Sequence, residues 1–184
     1  MAVKVALVGL LLFGALAPDL PQFEGKAWLG RALTYPISLL IVPVGWAIVR
    51  RRRGRPVAYP YVMDILVALP FLIDTAGNAA DLYDTIDWWD DANHFVNWAI
   101  LVAAFCQLLL RLPLGRLAGA AIAIGFGAVT AILWEFGEYF AFIRNSPELA
   151  TAYTDTLGDL ALGLSGSVVA AVVTYAIKPQ AIPR

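Results

Sequence analysis

The side chains best suited to chemistry in this sequence are carboxylates and a single histidine, grouped in pairs three or four residues apart. Residues with that spacing lie on one face of a helix, so both members of a pair can reach the same partner. Carboxylate oxygens with one imidazole and no thiolate suit Mg, Mn, Ca or non-haem Fe, and they also allow Zn. The pattern therefore predicts a divalent metal cofactor. The predicted ligands are Asp90, Asp91, His94, Glu135, Glu138, Asp155 and Asp159.

A second set of polar residues could bind a substrate beside that metal. Asp74 and Asn78 are four residues apart, and Asn97 follows His94 by three. Arginine pairs well with phosphate oxygens, so basic residues near the same helix ends could contact a phosphorylated headgroup. The predicted substrate-binding residues are Asp74, Asn78, Asn97, Arg31 and Arg144.

These residues are carried by a chain that is too apolar for a water-soluble protein of its size. Of its 184 residues, 60% are hydrophobic and 15% charged, and the mean hydropathy is +0.73. A hydrocarbon core of about 30 Å needs roughly 20 apolar residues per helix, so the length allows about six short-looped spans. We expect an all-α, polytopic membrane helical bundle, with residues 1–184 forming a single integral membrane domain in contact with membrane lipids.

The apolar segments give approximate bounds for these spans. Pro36 and Pro43 predict kinks in the second span, and small residues such as Gly127 and Gly166 predict close helix packing in the last two. The predicted spans are residues 3–17, 28–49, 61–80, 92–112, 117–143 and 156–177.

The basic residues predict the orientation of the chain. Ten of the thirteen fall on one side of the predicted spans, including five arginines of a predicted loop over residues 50–55. The positive-inside rule assigns that side to the cytoplasm, so both termini are expected there, in a bacterial inner membrane. We expect no nucleic-acid partner for these arginines, and a homo-oligomer is compatible with the sequence.

With this orientation, the acidic pairs and the histidine meet near the outer ends of four helices. A charged side chain at a helix centre costs roughly 2.5–3.5 kcal/mol, and facing carboxylates repel one another. A cation among them would remove that repulsion. The alternative for His94 is a histidine at a helix start, satisfied by Asp90 or Asp91.

Three short motifs give the chain a family resemblance. They are DDANHF from Asp90, WEFGEY from Trp134 and DTLGD from Asp155. In these motifs, read as D-x-x-x-H-F, E-x-x-E-aromatic and D-T-x-x-D, the chain resembles the YjdF-type inner-membrane proteins and, more distantly, VanZ-like proteins. The resemblance covers about residues 74–171 and implies an inner-membrane protein without an established activity. Glu138 stands where VanZ-like proteins more often have glutamine, which argues against a glycopeptide-resistance role.

Three functions fit these observations. The first is a metal-dependent hydrolase or transferase of a lipid or lipid-linked phosphate, in which the metal polarises a phosphoryl or ester oxygen and activates water. The second is a cation- or proton-coupled transporter, and the third is a non-catalytic binding or scaffold protein of the cell envelope. The catalytic residues predicted for the enzyme are His94, Asp90, Asp91, Glu135 and Glu138.

Overall fold

Helices form almost all of the regular structure, as expected for a chain whose apolar segments must satisfy their own backbone hydrogen bonds. The computed structural model describes residues 1–23, 26–141 and 143–177, and these ranges contain no strand. Short 3₁₀ turns lie at Pro21–Phe23, Ile143–Asn145 and Pro147–Ala150. The α-helices of the described ranges are α1 (Ala2–Leu16), α2 (Trp28–Thr34), α3 (Pro36–Arg53), α4 (Tyr61–Ala79), α5 (Leu82–Thr85), α6 (Trp89–Leu109), α7 (Arg116–Ala141) and α8 (Ala152–Ile177).

Five helical segments are long and apolar enough to cross a membrane. They are Trp28–Arg53, Tyr61–Ala79, Trp89–Leu109, Arg116–Asn145 and Ala152–Ile177. α1 is apolar but has 15 residues, a length of about 22 Å, which is short for a complete crossing. The prediction of an all-α fold is confirmed. About six spans were predicted, and the structure has five to six apolar helices able to cross a membrane, so the protein is a multi-pass membrane protein.

The second predicted span, residues 28–49, differs from the structure in two ways: it is divided into two helices at Pro36, and it extends into the arginines that follow Val49. α2 and α3 meet at Tyr35, which keeps helical dihedrals. Pro36 begins α3, because its ring nitrogen cannot donate to the carbonyl one turn earlier. Pro43 lies inside α3, so the span is divided at the first proline and continues through the second.

Four of the five arginines predicted as a loop, Arg50 to Arg53, belong instead to the last turn of α3, and Arg55 follows the helix. The helix runs on to Arg53 rather than ending at Val49. Arginine is a good helix former, and cations are favoured at the carbonyl end of the helix dipole. Gly54 then ends the helix in the left-handed conformation, with φ of 60°, which glycine adopts without steric cost.

The described chain divides into two compact units, Met1–Leu82 and Tyr83–Arg184. In the first, α1 packs mainly against α4. Lys4 lies 2.6 Å from a carboxylate oxygen of Asp64 and also donates a hydrogen bond to the carbonyl oxygen of Leu39. An acidic side chain within a membrane span normally has such a partner.

In the second unit, α8 packs against both α6 and α7, most extensively against α6. A Cβ added at Gly166 would overlap the carbonyl oxygen of Phe95, and one added at Gly127 would overlap Ser167. The glycines therefore let the helices approach to backbone contact. α6 and α8 begin three and four residues earlier than predicted, so their first turns include the acidic residues that the amino-terminal end of a helix favours.

Candidate metal centre

The only histidine of the chain lies between acidic residues of α6 and α8. Nε2 of His94 is 3.6 Å from Oδ1 of Asp90, one turn earlier on the same helix. The same nitrogen is 3.6 Å from Oδ1 of Asp159, on α8. These three side chains each offer a ligand atom within 4.8 Å of the others.

The opposite edge of the same imidazole faces α7. Nδ1 of His94 is 3.8 Å from Oε1 of Glu135. Glu138, one turn further along α7, completes a second group of three with ligand atoms within 4.8 Å of one another. The single histidine therefore belongs to both groups, with Asp90 and Asp159 near Nε2 and Glu135 near Nδ1.

The separations within the Nε2 group fit a shared ion better than direct hydrogen bonds. Hydrogen bonds from nitrogen to oxygen are about 2.7–3.2 Å long, and the two distances here are 3.6 Å. Two ligands that each lie about 2.1 Å from one ion are about 3.0 Å apart in octahedral geometry and about 3.4 Å apart in tetrahedral geometry. The two distances from Nε2 would have to shorten by only a few tenths of an ångström, and the two carboxylate oxygens lie within 4.8 Å of each other.

The burial of these groups makes an uncompensated charge costly. The exposed fractions are 7% for His94, 7% for Glu135 and 4% for Asp159. Among the described residues, His94 is the only basic side chain within ion-pair distance of either carboxylate, and it carries a positive charge only when protonated. A buried charge without a partner costs several kcal/mol, so a divalent cation at this place would stabilise the folded unit.

Access to the cluster differs between its members. The Asp90 side chain is 43% exposed, and Glu138 is half-buried. The deeper core of the same unit is apolar and contains the fully buried Val102, Cys106 and Ala123. The cluster therefore has an open side formed by Asp90 and Glu138 and a dry side toward the middle of the helices.

Two of the seven predicted ligands lie outside both groups. Asp91 and Asp155 are both exposed. Asp91 directly follows Asp90, and Asp155 precedes Asp159 by one helical turn, but neither belongs to the two groups. Their role as ligands stays a prediction. The structure brings together Asp90, His94, Glu135, Glu138 and Asp159.

A pair of asparagines lies beside the histidine on α6. Asn97 donates a hydrogen bond of 3.1 Å to the side-chain oxygen of Asn93, and Asn93 donates one of 2.8 Å to the carbonyl oxygen of Trp89. The amide oxygen of Asn97 is buried and has no hydrogen-bond partner among the described residues. Asn93 was missing from the predicted site, although its spacing of four from Asn97 was a usable signal.

The predicted substrate-binding residues of the first unit form a buried network of their own. Asp74 accepts hydrogen bonds from Nε of Arg31 at 3.1 Å, from the Tyr35 hydroxyl at 2.6 Å and from Asn78 at 3.1 Å. Arg31 also donates to the carbonyl oxygen of Lys26. Tyr35 was missing from the prediction, although it follows Arg31 by four residues.

The remaining predicted contact, Arg144, belongs to the second unit. It is exposed, and its guanidinium lies 5.7 Å from the centroid of the Phe140 ring. Such a distance is within the range of a cation–π contact. The assignment of Arg144 to substrate binding stays a prediction.

Comparison with known proteins places the chain in a family. A family model described as "Predicted membrane protein (DUF2238)" matches residues 2–180. The chain belongs to the DUF2238 family. One relative, described as an uncharacterized protein of Thermotoga maritima, is 25% identical over 169 residues, covering 77% of this chain and 88% of that protein. No solved structure matches the chain.

Membership of DUF2238 supports the membrane location and describes no activity. The match extends over both units and all of the membrane-spanning segments. The function therefore has to be argued from the cluster around His94.

Proposed function

We propose that the cluster around His94 binds a divalent metal ion and that the protein is a metal-dependent membrane enzyme acting on a lipid or lipid-linked phosphate. The observation that carries the proposal is the placement of one buried imidazole between acidic residues from three helices. Burying several carboxylates around a histidine is costly unless a cation is shared among them.

The Nε2 side of His94 is the better candidate for the ion. Its two carboxylate oxygens, from Asp90 and Asp159, lie closer to the ring nitrogen than the Glu135 oxygen does on the other side. Metal-binding histidines usually donate their second ring N–H to a carboxylate, which fixes the orientation of the ring. Glu135 is placed to accept that hydrogen bond after a small approach.

The open side of the cluster suits a hydrolytic or transfer reaction. A bound divalent ion would polarise a phosphoryl oxygen and lower the pKa of a bound water. Asp90, the exposed member of the Nε2 group, could accept a proton from that water as a general base. The exposed Arg144 follows Glu138 by six residues and could pair with a substrate phosphate.

The apolar core below the cluster favours an enzyme over a transporter. A cation or proton path would need a continuous series of polar groups beyond Asp159. Among the described residues of this unit the buried Ser167 and Tyr175 are isolated polar side chains, and the core around them contains the fully buried Val102, Cys106 and Ala123. The scaffold alternative predicts a stable, metal-free cluster. We also propose that the protein is related to the YjdF-type and, more distantly, the VanZ-like proteins. This relationship does not identify a reaction.

Metal content separates these alternatives. The full chain is purified without a polyhistidine tag, stripped with a chelator, and titrated with Mn²⁺, Zn²⁺ and Mg²⁺ by calorimetry and elemental analysis. Glu135→Gln should weaken binding by about tenfold or more, as loss of a carboxylate that orients a ligating histidine does. Glu148→Gln, the same change at an exposed position on a 3₁₀ turn, is the matched control and should leave affinity unchanged.

The reaction is tested separately with the metal-loaded protein. Release of inorganic phosphate is measured from phosphatidic acid and from a polyprenyl diphosphate in mixed micelles. A well-folded protein that binds none of the three ions would refute the whole proposal. Stoichiometric metal without turnover of either lipid would refute the enzymatic part and favour a binding or scaffold role.

A further inference from the structure

The end of α3 and the chain that follows it border a shallow, open groove with a basic lining. Gly54 turns the backbone in the left-handed conformation. The indole N–H of Trp46 then donates a 2.9 Å hydrogen bond to the carbonyl oxygen of Val57, which holds the returning chain against the helix. The space between them has a volume of about 480 Å³, and its lining includes Trp46, Arg50, Arg51 and Arg55.

The wall of this groove is ordered by aromatic contacts. The rings of Trp46 and Tyr59 meet edge to face, with centroids 5.3 Å apart. The guanidinium of Arg50 lies 5.2 Å from the centroid of the Trp46 ring, a cation–π contact. The groove is therefore a shaped surface, whereas a run of charges on a free loop would have no fixed form.

The charge of the groove is not compensated by the protein. Three arginines line it and no acidic residue does. Arg51 and Arg55 make no ion pair with any other residue in the described part of the chain. Adjacent guanidinium groups repel one another and present N–H donors in a planar fork that matches phosphate oxygens.

We propose that this groove binds the headgroup of an anionic phospholipid from the membrane in which α3 lies. α3 belongs to a membrane-spanning segment, so its basic last turn lies where that segment leaves the hydrocarbon core. The apolar side chains of Ile41, Val44 and Ile48 on the same helix are 48% to 55% exposed and are available to acyl chains. Basic pockets at the ends of membrane helices are known binding places for such headgroups.

The competing explanation is that the arginines only orient the span and attract negative lipid diffusely. The two explanations differ in which arginines matter. Arg51 and Arg55 line the groove, whereas Arg52 and Arg53, in the same stretch, do not. Diffuse attraction depends on the number of charges near the surface, so it treats both pairs alike.

The experiment compares two double variants of equal charge in the full-length protein. Binding of phosphatidylglycerol and of phosphatidylcholine is measured by native mass spectrometry after lipid titration in a neutral detergent. Arg51→Gln with Arg55→Gln should weaken phosphatidylglycerol binding about tenfold more than Arg52→Gln with Arg53→Gln does. Arg51→Lys with Arg55→Lys should retain only part of the binding of the unaltered protein, because lysine keeps the charge but lacks the bidentate fork.

Two outcomes would overturn the proposal. Equal losses in the two double variants would assign the effect to diffuse attraction. Equal binding of phosphatidylglycerol and phosphatidylcholine by the unaltered protein would show that the groove does not select anionic headgroups. Size-exclusion profiles and thermal unfolding show whether each double variant remains folded. If Arg51→Gln with Arg55→Gln does not remain folded, Arg51→Lys with Arg55→Lys is compared in its place, because it conserves the charge.

Discussion

Gly166→Ala should disrupt the proposed metal centre from a distance of about two helical turns. Gly166 follows Asp159 by seven residues on α8, a rise of about 10 Å. A Cβ at this position would overlap the carbonyl oxygen of Phe95, the residue after His94, and lie 3.2 Å from the amide nitrogen of Ala99. Both obstacles are backbone atoms of α6, so no side-chain rotation can relieve the overlap.

The magnitude follows from the size of the movement required. Restoring van der Waals contact would separate α6 from α8 by about 1 Å, and such overpacking costs about 1–3 kcal/mol. Metal–ligand distances tolerate changes of only about 0.2 Å. A shift of that size between His94 and Asp159 should therefore lower metal affinity by at least about tenfold.

Gly158→Ala is the control for this prediction. Gly158 lies on the same helix, next to Asp159, and a Cβ there would meet nothing within 4 Å. Alanine is a better helix former than glycine by about 1 kcal/mol, so this variant should be neutral or slightly more stable. Thermal unfolding in nanodiscs and calorimetric titration with Mn²⁺ give the two quantities. Equal stability and equal affinity in the two variants would refute the packing argument.

Three further predictions concern single side chains. Asp159→Asn should reduce metal affinity by at least about 100-fold, whereas Asp155→Asn, one turn earlier and exposed, should change it less than about threefold in the same titration. Similar losses in the two variants would contradict this and favour the ligand set predicted from spacing, which contains both residues. Asp74→Asn should lower the free energy of unfolding by about 3 kcal/mol, because Arg31 loses its buried partner. Tyr35→Phe should cost about 1 kcal/mol by chemical denaturation, and a larger loss than for Asp74→Asn would contradict the network.

The hydropathy of the chain was sufficient to predict where most helices lie. Runs of about 20 apolar residues have few alternatives in a membrane, and α4, α6, α7 and α8 lie within four residues of their predicted bounds. The prediction missed the last turn of α3 because it ended the helix at the first arginine of the basic stretch. Arginine continues a helix readily, and only Gly54 adopts the backbone conformation that ends it.

The acidic residues show what the sequence spacing could not decide, namely which of two neighbouring carboxylates faces His94. Asp90 and Asp91 precede His94 by four and three residues, and either separation places two side chains on one helix face. The phase of α6 decides between them, and that phase depends on contacts such as Gly166 against Phe95, which join residues far apart in sequence. The same reasoning applies to Asp155 and Asp159 on α8. The spacing therefore predicted which types of residue form the cluster. The packing of the helices determines which five of the seven predicted residues lie together.

The presence of one histidine in the whole chain has a practical consequence for spectroscopy. Protein labelled only with ¹⁵N-histidine would give nitrogen signals from a single imidazole, so no assignment experiment is needed. The chemical shifts of its two nitrogens report directly which one carries a proton and which one is coordinated. Every change seen on adding a metal or a lipid would then belong to the ring between Asp90, Asp159 and Glu135.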